Sequence, residues 1–234
     1  MKRISKIGLF GMALAALVNM PVCAEEEEGV VGWTPIAFGI ATPVQLPWGI
    51  NRWDVFGLDL NLLYSDAPLM YGIDIGGLAA RTRDELRGIE VSGLWNFNQA
   101  DVYVLRATIG ANMCPRTIYG LDLGMVGYNN EIYGAEVSFL CTVQRSLTGF
   151  GMSLLANITE NESCGLVVAG GGNITAKASG LHMGLIFNYT DELRGCQIAL
   201  VNFARECPGG FQIGLVNIIM DNQLKLLPIV NGFY

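Results

Sequence analysis

The sequence predicts an all-β repeat fold, and three observations support this. A unit of 14–16 residues recurs about eleven times after residue 56, and most units open on glycine. Within each unit, apolar and polar residues alternate over five positions, as in a strand with two different faces. Glycine is abundant, at 30 of 234 residues, which disfavours helix. The favoured architecture is a β-solenoid in which each unit forms one coil.

Each unit is anchored on one position, from which the other positions are numbered. The anchors are Gly57, Gly72, Gly88, Val104, Gly120, Gly134, Gly149, Gly165, Gly180, Gly195 and Gly210. Positions +1 and +3 are apolar in all eleven units, whereas position +2 is polar or charged in nine. The alternation predicts that positions +1, +3 and +5 form the core and that position +2 faces water.

This assignment of faces has consequences for stability and solubility. Ile198→Asp should cost several kcal/mol by burying a charge, whereas Gln197→Asp should cost less than ~1 kcal/mol. An apolar residue also stands two positions before many anchors, for example Leu86 and Leu193. Positions −2 and +2 are an even number of residues apart, so in a straight strand both would point to the same, polar side. A corner at the glycine is therefore needed to turn the apolar residue inward. The acidic outer column then predicts a soluble protein.

Asparagine often opens the polar stretch that follows each strand, as at Asn157, Asn173 and Asn188. Stacked coils would bring these residues into a ladder of side-chain amides. The predicted organisation is a signal peptide at 1–24, an acidic tail at 25–32, an N-terminal cap at 33–56, the β-repeat domain at 57–225 and a C-terminal cap at 226–234. Caps are expected because a stack of repeats has two exposed ends.

An antiparallel transmembrane β-barrel is the alternative architecture. Strands of this length and alternation suit a barrel, and tyrosines precede several anchors as an aromatic girdle would, for example Tyr103 and Tyr119. Acidic and small residues would then line the lumen. The uniformly short connections oppose this alternative, because outer-membrane barrels usually alternate short turns with long loops.

The sequence assigns no catalytic, cofactor-binding or metal-ligating residue. His182 is the single histidine, and its place in the polar column predicts a solvated side chain. Asp59, Asp74 and Glu90 would stack on adjacent coils, where a calcium site is a minor alternative. Gly170–Gly172 lacks the Lys-Ser/Thr ending of a phosphate loop.

Cysteines and glycosylation sequons carry little functional signal. No pair of cysteines has CxxC spacing, which disfavours a zinc or redox motif. The predicted mature chain has five cysteines, which cannot all pair, and their positions in the repeat differ, so a structural role for the thiols is not expected. Cys196 and Cys207 are the pair worth checking. Sequons occur at Asn157, Asn161, Asn173 and Asn188, and three of these arise from the repeat itself.

The first 24 residues are typical of a secretory signal. A basic start at Lys2, Arg3 and Lys6 precedes a short apolar run, and cleavage is expected after Ala24. Removing this segment would take the formal net charge from −7 to −10. A chain this acidic is a poor candidate for binding nucleic acid, which requires clustered Lys and Arg.

The last units carry a family resemblance. GCQIALVNFA from Gly195 and GFQIGLVNI from Gly210, followed by LPIVNGFY, resemble bacterial Leptospira-type surface repeat-containing proteins. The resemblance covers most of the mature chain, although VLRATIGAN from Val104 departs from it. It implies an envelope location and a repeat architecture, and it carries over no functional residue.

These observations together predict a non-enzymatic structural or interaction protein of the bacterial cell envelope, without a cofactor and with an unidentified partner. The expected location is the periplasm, the outer membrane or the cell surface. An outer-membrane pore or porin-like protein is the functional alternative, since it follows from the barrel architecture.

Overall fold

The computed structural model describes residues 30–42 and 44–233. The predicted signal peptide and residues 25–29 of the predicted acidic tail therefore lie outside the described residues.

The described residues form thirteen β-strands and one short 3-10 helix, Ile50–Arg52. The strands are β1 Gly32–Ala41, β2 Val44–Leu46, β3 Trp53–Gly76, β4 Ala79–Ser92, β5 Trp95–Asn98, β6 Asp101–Thr108, β7 Ala111–Ser153, β8 Ala156–Ala169, β9 Gly172–Gly184, β10 Phe187–Ile198, β11 Val201–Glu206, β12 Phe211–Ile219 and β13 Leu226–Gly232. All of them belong to one sheet.

The sheet winds into a β-solenoid of about ten turns, which confirms the favoured fold. Successive coils pair in parallel with a register of one repeat, so that Gly165 lies opposite Gly180 and Asn173 opposite Asn188. Among the paired strands described, antiparallel pairing occurs between β1 and β2 and between β12 and β13, at the two ends of the sheet. The barrel alternative is wrong, because its neighbouring strands would be antiparallel throughout.

Each coil has a short strand and a long strand separated by corners. In one coil β5 is the short strand and β6 the long one, with bends at Gln99–Ala100 and Ile109–Gly110. In other coils the two strands run together, as in β4. The pairing register shifts between Ala67 and Leu69 and between Thr159 and Glu162, so differences in repeat length are absorbed at the corner before the long strand.

The predicted assignment of faces is wrong: the solenoid has the polar column inside and the apolar columns outside. Asp59, Asp74, Glu90 and Gln197 at position +2 are fully buried. Positions +1 and +3 are exposed or half-exposed in every unit. The sequence predicted a soluble protein because the acidic position +2 was expected to face water, and that reason no longer holds.

The reason lies in the parity of the residue two positions before each anchor. The strand runs straight through the anchor, as β4 and β6 show, so position −2 and position +2 point to the same side. That side is the interior, because position −2 supplies the apolar core. The core residues at this position are Val55, Met70, Leu86, Val102, Ile118, Ile132, Leu147, Ala178 and Leu193.

The anchor glycine is required by the preceding coil. Gly88 has φ +151°, and a Cβ atom there would lie 1.9 Å from the carbonyl oxygen of Gly72. Val104 is the one anchor with a side chain; it adopts φ 99° and is 59% exposed. Glycine thus allows the coils to stack at sheet distance without a clash.

The predicted cap segments lie at the two ends of the sheet. Residues 33–56 include most of β1, all of β2 and the start of β3, and β2 ends the sheet on that side. At the other end β13 covers the free edge of β12 in antiparallel pairing.

Candidate interaction surface

The solenoid interior holds a buried charge network centred on Arg106. Its Nε and Nη2 donate to the two carboxylate oxygens of Asp122 at 3.1 and 2.9 Å, and both side chains are almost fully buried. Nη1 donates to Asn98 Oδ1 at 2.9 Å, and Nη2 donates to Asn129 Oδ1 at 2.7 Å. The guanidinium is thus held by partners on several coils, which satisfies its charge without solvent.

Asp74 is a buried acid that lacks such compensation. Both carboxyl oxygens of Asp74 are without a hydrogen-bond partner, and burial, with the nearby carboxylates of Asp59 and Glu90, raises the pKa of Asp74 well above 3.8. Burial and the charge of Asp122 likewise raise the pKa of Glu136 well above 4.5. These interior carboxyls therefore favour the neutral form.

Asp59, Asp74 and Glu90 were the minor calcium alternative. Asp74 and Glu90 do lie opposite each other on adjacent coils, but all three side chains are buried in the interior. Asp59 accepts hydrogen bonds from Asn61 at 2.8 Å and Ser65 at 2.9 Å. Among residues 30–42 and 44–233, no group of three His, Cys, Asp or Glu is arranged to hold a metal ion.

His182 was predicted to be solvated, and that prediction is wrong. Its side chain is 1% exposed, in the interior row that continues through Gln197 and Gln212. Burial lowers the pKa of His182 from 6.5 to about 4. The imidazole is therefore neutral near pH 7, and it is enclosed where a substrate would not reach it.

The predicted asparagine ladder is confirmed. Asn157 donates to Asn173 at 2.9 Å, Asn173 to Asn188 at 2.8 Å, Asn188 to Asn202 at 3.0 Å and Asn202 to Asn217 at 2.9 Å. Each of the first four amides also donates to a backbone carbonyl of the long strand that follows it in sequence. The ladder ties successive coils together at the corner before the short strand.

The ladder also explains the sequons. Asn157, Asn173 and Asn188 are buried ladder members, so their amides are not accessible to a modifying enzyme in the folded protein. Asn161 is exposed and lies outside the ladder. Three of the four sequons are thus structural positions of the repeat.

The cysteines are all unpaired thiols within the described residues. Cys114 and Cys207 are buried and act as apolar filler in the two core clusters. Cys196 and Cys207, the pair worth checking, are both free.

The outside of the long strands forms a continuous apolar surface. We call positions +1, +3, +5 and +6 the apolar outer face; no unit has a charged residue at any of these positions. Positions +5 and +6 form its most exposed margin, the leucine edge, where Leu62, Leu185 and Leu215 are each 68% exposed. A continuous apolar surface along a whole repeat array marks an interaction site.

The leucine edge borders a groove near the C-terminal end of the solenoid. The groove is a shallow, open depression of about 610 Å³, lined almost entirely by apolar groups. Its larger lining residues are Met183, Leu185, Ile198, Leu200, Ile213, Leu215 and Ile229.

A row of aromatic side chains lies next to the apolar outer face, at position −1. Tyr103 stacks on Tyr119 with ring centroids 5.0 Å apart, and Tyr119 stacks on Tyr133 at 5.4 Å. The Arg87 guanidinium lies between the Tyr71 and Tyr103 rings, 5.3 and 5.2 Å from their centroids. We call this stack the aromatic row.

Charged side chains are collected beyond the aromatic row. In residues 57–219, apart from half-exposed Arg81, the charged residues that are not buried lie at positions −5 to −1. We call positions −5 to −3 the charged corner; Glu192 there makes ion pairs with Arg194 at 2.6 Å and Lys177 at 3.8 Å. Charge is thus segregated to the corner opposite the leucine edge.

Within the described part of the chain, no helix is long and apolar enough to cross a bilayer.

The chain matches no protein-family model, no curated protein and no solved structure.

The sequence assigns no site residue, and its alternation predicts as core the surface that is exposed in the structure. The sequence does contain evidence that this surface faces outward. The apolar residue at position −2 and the recurrent asparagine both share the parity of the polar column, so one side of the strand had to hold all three.

Proposed function

We propose that this chain is a non-enzymatic structural and interaction protein of a bacterial cell envelope, and that it engages its partner through the apolar outer face. The observation that carries the proposal is the absence of charge from positions +1, +3, +5 and +6 in all eleven units. A face of this extent is unfavourable in water and needs a partner to cover it.

The envelope location rests on the N-terminal sequence and on the resemblance of the late units to Leptospira-type surface repeat proteins. The basic start, the short apolar run and Val22-Cys23-Ala24 support export with cleavage after Ala24. A non-catalytic role is supported by the enclosure of the interior ionisable groups: Asp74, Glu90, Arg106, Glu136 and His182 have almost no contact with solvent.

Fractionation of bacteria that produce the chain tests this proposal. We expect the protein in the envelope fraction with an intact mass that starts at Glu25. A leucine-edge variant with Leu155→Ser, Leu185→Ser and Leu200→Ser should be exported and cleaved equally but recovered largely in the soluble periplasmic fraction.

The matched control changes three exposed residues of the charged corner instead: Glu160→Gln, Lys177→Gln and Arg205→Gln. This charged-corner variant should fractionate like the wild type. A wild-type protein that stays in the cytoplasm with residues 1–24 intact would overturn the proposal.

A further inference from the structure

We propose that the partner of the apolar outer face is a lipid bilayer, and that the leucine edge inserts into one leaflet while the solenoid lies along the membrane surface. This inference rests on the proposed function and names the partner of the same surface.

The order of the surface features along the long strand matches the layers of a leaflet. In the units anchored from Gly57 to Gly134, the leucine edge comes first, then the apolar rows at positions +3 and +1, then the aromatic row, then the charged corner. In the later units the order is the same without the aromatic row, because position −1 there holds Thr148, Cys164, Ser179, Arg194 and Gly209. Tyrosine rings favour the boundary between hydrocarbon and water because they have an apolar body and a polar tip. Charged groups remain in water on the far side of that boundary.

The depth of the apolar outer face also fits. In β4 and β6 the long strand ends at position +4, at Ser92 and Thr108, so positions +1 to +4 cover three residue steps, which is roughly 10 Å at about 3.3 Å per residue of strand, and the leucine edge lies in the corner just beyond. The hydrocarbon core of a bilayer is ~30 Å thick, so one leaflet provides about 15 Å. The face can therefore be immersed without crossing to the opposite leaflet.

The shape of the apolar surface favours a fluid partner over a second copy of the chain. Apolar side chains continue around the leucine edge onto the outer side of the short strands, at Trp95, Phe97, Ile158 and Ile174. A rigid partner docked on one flat face would leave the other side of the edge in water. Lipid chains surround a projecting edge from both sides at once.

The hydrogen bonding of the coils permits immersion. Backbone groups of each coil pair with the coils on either side, and polar side chains are turned inward, as the asparagine ladder illustrates. The outer face thus offers hydrocarbon few unsatisfied donors or acceptors, which is the condition for contact with lipid.

Vesicle flotation tests the inference. The exported, processed protein is mixed with phosphatidylcholine vesicles, with or without 30% phosphatidylglycerol, at low salt and in 0.5 M NaCl. Because insertion is apolar and the protein is acidic, we expect it to float with both vesicle types and at both salt concentrations. The leucine-edge variant should show at least a ten-fold lower bound-to-free ratio, and the charged-corner variant should match the wild type.

A second measurement guards against a variant that fails to fold. Circular dichroism melting should show all three proteins folded. Trp95 is 47% exposed beside the leucine edge, so vesicles of dibrominated phosphatidylcholine should quench its fluorescence in the wild-type protein. The Trp95→Phe variant identifies this signal, because the quenched part of the tryptophan emission should be missing from it.

The outcomes separate this inference from the proposed function. Wild-type protein that does not float and shows no bromolipid quenching overturns the lipid assignment, including when it forms a defined dimer through the leucine edge. If the same protein is still retained in the envelope through its leucine edge, the proposed function stands with a protein partner.

Discussion

At the scale of single residues, the unusual feature is the placement of ionisable groups inside the coil. Arg106 is stabilised there by Asp122 and several amides, whereas Asp74 has no hydrogen-bond partner for either carboxyl oxygen. Unfolding returns Asp74 to water, where its carboxyl ionises readily. The interior thus contains a compensated ion pair at Arg106 and Asp122 and, at Asp74, a carboxyl whose ionisation burial disfavours.

Asp74→Asn should stabilise the protein, and more at neutral than at acid pH. The pKa of Asp74 in the folded state is raised above 3.8. The destabilisation of the folded state by this carboxyl is therefore absent below about pH 3.8 and grows as the pH rises towards the folded-state pKa. We expect a gain on the order of 1–3 kcal/mol in the free energy of unfolding at pH 7. Thermal melts at pH 4 and pH 7 measure this, with exposed Asp221→Asn as the control. An equal effect of Asp74→Asn at both pH values would contradict the raised pKa.

The exchange of inside and outside leads to a second, paired prediction. Gln197 is fully buried and its Oε1 accepts from Gln212 at 2.9 Å, so Gln197→Asp should cost roughly 3–5 kcal/mol by burying a charge. Ile198 is half-exposed on the outer face, so Ile198→Asp should cost only about 1 kcal/mol. Denaturant unfolding of the two variants compares these costs directly. The reverse order would restore the original assignment of faces.

At the scale of elements, the strands and their stacking were predictable and their orientation was not. Repeat spacing and period-two alternation fix the strand, the coil and the asparagine ladder, because each depends only on sequence position. Which face is inside depends on the whole coil. The general rule that apolar residues are buried predicts the wrong side here. Leu86, Glu90 and Asn96 are separated by even numbers of residues and so share one side, and all three side chains are buried.

The asparagine ladder should be sensitive to the loss of a single amide. Asn188→Asp keeps the shape of the side chain but loses the donors to Asn202 and to the Ile198 carbonyl, and adds a charge in the interior. We expect a loss of roughly 3–5 kcal/mol at pH 7, because a buried carboxylate would have no cationic partner.

The matched control is Asn161→Asp at an exposed sequon outside the ladder, which should change the free energy of unfolding by less than ~0.5 kcal/mol. Chemical unfolding monitored by circular dichroism compares the two variants. Similar costs at Asn188 and Asn161 would show that the ladder contributes little.

At the scale of the whole molecule, the solenoid is a stack of nearly interchangeable coils. The strands at its two ends therefore determine whether another chain can add further coils to the stack. The parallel register repeats from β3 to β12, and a further coil could add to a free end by the same pairing. The antiparallel strand β13 occupies the edge of β12 and prevents this at the C-terminal end. Antiparallel pairing ends the array because it does not continue the register of the repeat.

Removal of residues 226–234 should therefore cause end-to-end association. The truncated chain exposes the backbone donors and acceptors of β12 that now bond with β13, from Phe211 opposite Gly232 to Ile218 opposite Leu226. We expect a concentration-dependent dimer, joined through two β12 edges, by light scattering in detergent, which masks the apolar outer face and leaves edge pairing as the driving force. Adding Phe211→Lys and Ile213→Lys to the truncated chain should suppress the dimer, because like charges on facing edge strands repel. A truncated chain that remains monomeric in detergent across a hundred-fold range of concentration would show that β13 does not limit the stack.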